Sequence, residues 1–75
     1  MYIVAYDITD AGRLRRISRI LNRYGRRVQK SVYECAIDRT RYQELWDQLK
    51  KVCSDQDQIC GYQILRCTGK IYVKK

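Results

Sequence analysis

The chain has 75 residues and a formal net charge of +8, with 16 basic residues against 8 acidic ones. This length predicts a single domain over residues 1–75, and an apolar share of 45% is ordinary for a globular protein, which excludes a disordered chain or a fibrous repeat. The longest apolar run is too short to cross a bilayer, and no basic segment precedes an apolar one at the start. We therefore expect a cytoplasmic protein without a membrane partner.

The first predicted element is a strand over residues 2–6 (YIVAY), which is rich in β-branched and aromatic residues. This strand ends on Asp7. Asp10 then stands where an N-cap accepts hydrogen bonds from the first free amides of a helix. The helix is predicted to end at Gly25. Its apolar stripe at helical spacing consists of Leu14, Ile17, Ile20, Leu21 and Tyr24.

The other faces of this helix, and the segment after it, are strongly basic, because no acidic residue occurs between Asp10 and Glu34. Such a block repels itself unless an anion neutralises it, and a phosphate backbone is the commonest anion of that extent. Arginine predominates, and its planar fork suits phosphate oxygens. The alternative is a solvated face that serves only solubility. The predicted nucleic-acid-binding residues are Arg13, Arg15, Arg16, Arg19, Arg23, Arg26, Arg27 and Lys30.

Residues 28–37 alternate as one long strand, or as two short strands that meet at a kink near Lys30–Ser31. A second helix is predicted after Asp38, with Thr40 and Gln43 at the spacing of a capping box. A polar loop, a strand (QICGYQILRC) and a short terminal strand (KIYVKK) follow. The predicted buried stripe of the second helix consists of Tyr42, Leu45, Trp46, Leu49, Val52 and Cys53.

This order of elements predicts an α+β protein with a ferredoxin-like βαββαβ fold and an additional short C-terminal strand. Both helices would cover one face of an antiparallel sheet. The other face would carry apolar side chains such as Tyr2 or Ile3, and Tyr33 or Val32. Because a domain this small does not leave such a surface in water, we predict a homodimer that buries it. The terminal strand would be available to the edge of the partner's sheet.

The chain has four cysteines and no histidine. No two cysteines have C-x-x-C spacing, so a structural zinc site is not expected, and a disulfide framework is not expected without a secretory signal. Catalysis by a cysteine or serine paired with histidine is excluded as well. We predict that the cysteines are buried, reduced, small apolar residues. They are Cys35, Cys53, Cys60 and Cys67.

Asp7 is the best candidate for a catalytic metal ligand, because it is a carboxylate at a strand end beside a basic helix. Phosphodiester hydrolysis requires a hard cation, Mg²⁺ or Mn²⁺, which carboxylate oxygens bind and which activates water. One carboxylate is a poor metal site, but two copies of Asp7 near a two-fold axis would share one ion. The alternative is an aspartate that only starts a turn. Asp10 is explained by helix capping alone.

Three segments of the chain stand out together: YDITD at 6–10, RLRRISRILNRYG at 13–25 and RVQKSVYEC at 27–35. They resemble the Cas2 family, the second of the two core CRISPR-associated adaptation proteins, and the likeness extends over nearly the whole chain. It implies a ferredoxin-like homodimer with metal-dependent endonuclease activity on RNA or DNA, which some members possess and others lack. It also implies partnership with the Cas1 integrase in spacer acquisition, where the family bridges double-stranded DNA.

The resemblance also implies roles for single residues. The family's functional positions fall on Asp7 for the metal, Arg15 or Arg16 in the helix, Arg27 in the next strand, and Ser31 and Tyr33 lining the site. Phenylalanine is frequent where this chain has Tyr33, so its hydroxyl needs a partner or solvent.

Three functions are consistent with these observations. The first is a Mg²⁺-dependent phosphodiesterase. The second is a non-catalytic scaffold that clamps double-stranded DNA through its phosphates. The third is a ferredoxin-like regulator that binds single-stranded RNA by stacking bases on sheet tyrosines, which requires an exposed sheet face.

Overall fold

The computed structural model describes the backbone of residues 1–67 and 70–74 and the side chains of residues 1–64. The predicted burial of Cys67 lies outside the described side chains. The helices and strands are β1 (Tyr2–Asp7), α1 (Ala11–Tyr24), β2 (Arg26–Gln29), β3 (Val32–Cys35), α2 (Arg39–Val52), β4 (Gln58–Cys67) and β5 (Lys70–Lys74). Neither helix of this part of the chain has the length and hydrophobicity of a membrane span.

The strands form one antiparallel sheet in the order β2-β3-β1-β4-β5. Alternation along β1 buries Tyr2, Val4 and Tyr6 beneath the helices, whereas Ile3 and Ala5 are half-buried on the opposite, helix-free face. The predicted ferredoxin-like α+β fold with an additional C-terminal strand is confirmed. The terminal strand pairs with β4 of its own chain.

The segment between the helices is a hairpin. The chain reverses at Lys30–Ser31, so the prediction of two short strands is confirmed, but a tight turn replaces the predicted kink. The pairing of β2 with β3 shifts register between Arg27 and Gln29, which marks a bulge. All of β2 is exposed at the edge of the sheet, where charged side chains discourage pairing with other strands.

Helix α1 begins at the predicted cap, since the Asp10 carboxylate accepts a hydrogen bond of 2.8 Å from the Arg13 amide. It ends at Gly25, as predicted. Gly25 is extended rather than left-handed, and it passes very close to β3. A Cβ atom there would overlap the carbonyl oxygen of Glu34 and lie 2.7 Å from the sulfur of Cys35, so only glycine fits this approach.

Helix α2 is capped by Asp38, whose carboxylate accepts a hydrogen bond of 2.8 Å from the Arg41 amide. The predicted capping box of Thr40 and Gln43 is wrong, because Asp38 already satisfies the first turn and both residues lie inside the helix. The predicted buried stripe is confirmed at its centre, where Leu45 and Leu49 are fully buried.

The core between the helices and the sheet contains one of the three cysteines whose side chains are described. Cys35 is fully buried, and desolvation raises the pKa of its thiol, so it is an inert core residue. Cys53 is half-buried. The burial prediction is wrong for Cys60, which is exposed opposite Ala5 on the helix-free face.

Candidate functional site

Asp7 ends β1, and its exposed carboxylate forms no hydrogen bond or ion pair with any described residue. Its backbone neighbours are held firmly. The Tyr6 amide donates a 3.1 Å hydrogen bond to the Ser31 carbonyl, and the Tyr6 hydroxyl donates to the Lys30 carbonyl at 3.3 Å. On the other side, Asp7 is paired in register with Gln58 of β4. The backbone at the end of β1 is therefore held on both sides, while the Asp7 carboxylate has no bonding partner among the described residues.

A groove of about 550 Å³, here called the Asp7 groove, opens between the end of β1, helix α1 and the β2–β3 hairpin. Its polar lining includes Asp7 and two cationic residues, Arg27 and Lys30. Three of the predicted site residues thus share this groove with Asp7: Arg27, Lys30 and Ser31. Its remaining lining consists of Ser18 and the apolar residues Tyr6, Ile8 and Leu14.

Ser18 is a groove residue that the sequence reasoning missed. It is half-buried on α1, four residues after Leu14, which also lines the groove. Residues four apart share one side of a helix, so the spacing between Leu14 and Ser18 could have indicated that the two lie side by side. Its hydroxyl adds a donor and acceptor to a wall that is otherwise apolar.

The assignment of Tyr33 to the site lining is corrected by the structure. The side chain of Tyr33 is 2% exposed, and it packs beneath the helices because its position in β3 pairs with the inward-facing Val4. Its hydroxyl donates a 3.0 Å hydrogen bond to the side-chain oxygen of Asn22 on α1. Tyr33 is therefore a core residue whose hydroxyl has found an intramolecular partner.

The solvent side of α1 carries a row of exposed arginines, here called the arginine row. Its members are Arg15, Arg16, Arg19 and Arg23. Arg15, Arg19 and Arg23 follow at intervals of four residues, so successive guanidinium groups project from adjacent turns. None of the four forms an ion pair with a described residue. Their binding of nucleic acid stays a prediction, and their geometry leaves them free for phosphates.

Two of the predicted nucleic-acid-binding arginines have intramolecular partners instead. The Arg13 guanidinium donates to both carboxylate oxygens of Asp57, at 2.8 and 3.2 Å, and the Asp57 side chain is fully buried. Hydrogen bonds from Arg13 and from the Ser54 amide lower the pKa of the Asp57 carboxyl below its ordinary value. Arg26 forms a 3.1 Å ion pair with Glu34 and remains largely exposed, so this pair is weak. Nucleic-acid binding by Arg13 and Arg26 stays a prediction.

The side chains around Asp7 determine whether a metal ion fits. Among the described residues, no three metal-ligating side chains are grouped together, so within one chain Asp7 offers a single carboxylate. Mg²⁺ retains several waters and is usually held by one or two carboxylates together with substrate phosphates. One Asp7 from each of two chains matches this donor set. Mg²⁺ or Mn²⁺ binding stays a prediction that the exposed, unpaired carboxylate fits.

Fold and site together define a class, that of small ferredoxin-like proteins with a strand-end carboxylate beside a basic helix. The chain belongs to the family of the CRISPR associated protein Cas2, whose family model matches residues 1–69. The resemblance noted from the sequence segments is thereby confirmed.

Individual relatives agree with this family. Over 65 residues, 85% of this chain and 71% of the relative, the chain is 37% identical to CRISPR-associated endoribonuclease Cas2 3 of Synechocystis sp.. It is 32% identical to CRISPR-associated endoribonuclease Cas2 1 of Moorella thermoacetica, across 100% of this chain and 84% of that protein. The crystal structure of Streptococcus pyogenes Cas2 superposes with a TM-score of 0.76 at 28% identity, covering 83% of this chain and 82% of that one.

Proposed function

We propose that this protein is a Mg²⁺-dependent endonuclease that cleaves phosphodiester bonds of RNA or DNA as a homodimer. The observation that carries this proposal is that Asp7 is exposed, that its carboxylate has no partner among the described residues, and that it lines a groove together with Arg27 and Lys30. The names of the Synechocystis and Moorella relatives, both endoribonucleases, favour RNA as the substrate.

The groove residues have separate tasks in this reaction. A bound Mg²⁺ supplies Lewis-acid stabilisation and a more acidic water. Asp7 holds the cation at the strand end through its carboxylate oxygens. Arg27 and Lys30 bind the non-bridging oxygens of the phosphate and stabilise the negative charge that develops there. The hydroxyls of Ser18 and Ser31 orient the nucleotide by hydrogen bonds from the walls of the groove.

A second copy of the chain completes the metal site in this proposal. The helix-free face leaves Ile3, Ala5, Val32 and Ile64 half-buried, which favours covering by another chain. Asp7 follows the same alternation as Ile3 and Ala5, and it borders a shallow depression of that face. Pairing of two such faces about a two-fold axis close to Asp7 would bring the two Asp7 side chains together. Sedimentation should show a dimer; a stable monomer would instead favour RNA binding on an exposed sheet face.

Replacement of Asp7 tests the catalytic proposal. Asp7→Ala should lower Mg²⁺-dependent cleavage of RNA or DNA by at least about a hundredfold, because charge neutralisation at the phosphate is lost. The variant should remain a dimer in sedimentation. The matched control is Asp47→Ala, an exposed aspartate on α2 that lies outside the Asp7 groove. Metal-dependent cleavage that persists in Asp7→Ala would contradict the assignment of Asp7 as the catalytic metal ligand.

The arginine row favours a second function, a non-catalytic scaffold that holds double-stranded DNA for the Cas1 integrase. Exposed arginines on adjacent turns bind phosphates without reading sequence. In this function spacer acquisition survives Asp7→Ala, whereas charge reversal of Arg15, Arg16 and Arg19 weakens DNA binding. Loss of acquisition in Asp7→Ala, with DNA binding intact, would contradict the scaffold as a sufficient function. Both functions are compatible within one protein.

A further inference from the structure

Three chain segments that surround Asp7 meet at Arg13. The Arg13 amide donates to the Asp10 carboxylate at 2.8 Å, which fixes the segment between β1 and α1. The Arg13 guanidinium donates to Asp57 at 2.8 and 3.2 Å, which ties α1 to the loop before β4. Asp57 directly precedes Gln58, the residue that is paired with Asp7.

The contact between Arg13 and Asp57 is built into the structure. The Asp57 side chain is fully buried, and that of Arg13 is only 24% exposed. The Ser54 amide donates to the same Asp57 carboxylate at 2.9 Å, and the Asp57 amide donates to the Ser54 carbonyl at 3.0 Å. The carboxylate is therefore held by the loop on one side and by the forked guanidinium on the other.

These contacts form a closed circuit of chain segments that includes Asp7. The chain runs from Asp7 through the buried Ile8 to α1, the ion pair connects α1 to the loop, and the loop leads back through β4 to Asp7. On the opposite side, the Tyr6 amide is bonded to the β2–β3 turn. The backbone of Asp7 is thus fixed from both directions while its side chain stays free.

We propose that the Arg13–Asp57 ion pair positions the Asp7 carboxylate for metal binding, so that Arg13 is a positioning residue rather than a phosphate ligand. This inference rests on the proposed function, because only a metal site at Asp7 requires a fixed carboxylate. A site with one carboxylate from each chain has few ligands to spare, so each must be preorganised by its supporting groups. Loss of a group bonded directly to a metal ligand typically weakens metal affinity by about tenfold to a hundredfold, and because the Arg13–Asp57 pair acts through the backbone, its loss should fall at the lower end of that range.

The experiment uses Mn²⁺ alone as the probe, without nucleic acid. Paramagnetic broadening of backbone amide signals near Asp7 reports Mn²⁺ affinity independently of cleavage. Arg13→Met and Asp57→Asn should each weaken Mn²⁺ binding by about tenfold, and the double variant should be no weaker than either single variant. Arg13→Lys keeps the charge without the fork and should recover only part of the affinity. The matched control is Glu34→Gln, which breaks the exposed ion pair and should change nothing.

Thermal unfolding of every variant separates positioning from a loss of folding. If Asp57→Asn does not fold, the Mn²⁺ affinity of Arg13→Lys tests the inference instead. Unchanged Mn²⁺ affinity in folded variants would overturn the inference while leaving Asp7 as the metal ligand. A second overturning result is stronger metal-free RNA binding in Asp57→Asn with weaker binding in Arg13→Met, because the freed Arg13 would then be a phosphate ligand. Absence of broadening near Asp7 in the unmodified protein would overturn the metal site itself, and the positioning role with it.

Discussion

The chain passes from a strand into a helix twice, and the two junctions use the same local rules. β1 ends on Asp7 and α1 is capped by Asp10, whereas β3 ends on Cys35 and α2 is capped by Asp38. The spacing from strand end to cap is the same. Each cap carboxylate accepts the amide three residues further on at 2.8 Å, and each helix has 14 residues.

The junctions differ in the side of the sheet that the last strand residue faces. Asp7 follows the buried Tyr6 and is exposed, whereas Cys35 pairs with the inward-facing Tyr2 and is fully buried. Capping therefore determines where each helix begins, but strand alternation determines which junction presents a side chain to solvent. Only the first junction has its last strand residue in a cationic groove among the described residues.

Exchanging the residue types at the two strand ends should have the largest effect. Cys35→Asp places an unpaired carboxylate in the core and should lower the free energy of unfolding by roughly 4 kcal/mol, or prevent folding. Asp7→Cys should change it by less than about 0.5 kcal/mol, because the site is exposed, and should abolish metal-dependent cleavage. Urea unfolding measures both. Equal stability of Cys35→Asp and the unmodified protein would contradict the difference between the junctions.

The helices that follow the two junctions should differ in nucleic-acid binding. Replacing Arg15, Arg16 and Arg19 by glutamine should weaken duplex DNA binding and reduce the slope of log K against log salt by about 2 to 3, close to one unit per lost phosphate contact. Filter binding over a salt series measures this slope. Lys50→Gln with Lys51→Gln on α2 is the control, and an equal reduction there would show that net charge alone governs binding.

Removal of the two caps should have equal effects on stability and unequal effects on activity. Asp10→Ala and Asp38→Ala should each lower the free energy of unfolding by about 1 kcal/mol, since each leaves a first-turn amide unsatisfied. Only Asp10→Ala should also reduce cleavage, because its cap lies in the segment that follows Asp7. Chemical denaturation with parallel cleavage assays measures both. Equal losses of activity would remove the functional distinction between the junctions.

The smallest expected effect is a pH dependence of the Arg13–Asp57 ion pair, which ties the helix after the first junction to the loop before β4. The pKa of Asp57 is lowered in the folded protein, so its contribution to stability is complete above the ordinary aspartate pKa of about 3.9 and is lost as pH falls through the lowered folded value. The difference in Tm between the unmodified protein and Asp57→Asn should therefore be constant from pH 8 to 5 and shrink below about pH 4. In an Arg13→Met background this dependence should be much weaker; an unchanged dependence would contradict the ion pair as its cause.

Local rules were sufficient to predict most of the fold. The cap at Asp10, the stop at Gly25 and the core stripes are set by neighbours a few residues apart, and the element order then selects the sheet topology. Asp7 was also singled out as the candidate metal ligand, because a strand-end carboxylate next to basic residues is visible in the chain itself.

Other features depend on contacts that local patterns do not encode. Tyr33 was misassigned because its role was carried over from the family resemblance, while the residue pattern left open whether Tyr33 or Val32 faces the helices; pairing with the inward-facing Val4 decides this. The partner of Arg13 lies 44 residues away in a polar loop, and nothing in the basic segment distinguishes this arginine from its neighbours. Cys60 was misjudged because its hydrophobic character does not reveal which face of β4 it occupies.

Helix α1 is fastened at both ends, by the Arg13–Asp57 pair at its start and by the close approach of Gly25 to β3 at its finish. The arginine row between them spans about 12 Å of helix rise from Arg15 to Arg23. If a nucleic acid binds there as proposed, its phosphates have to match that spacing within the reach of the arginine side chains. Any larger mismatch would have to be taken up by bending of the nucleic acid.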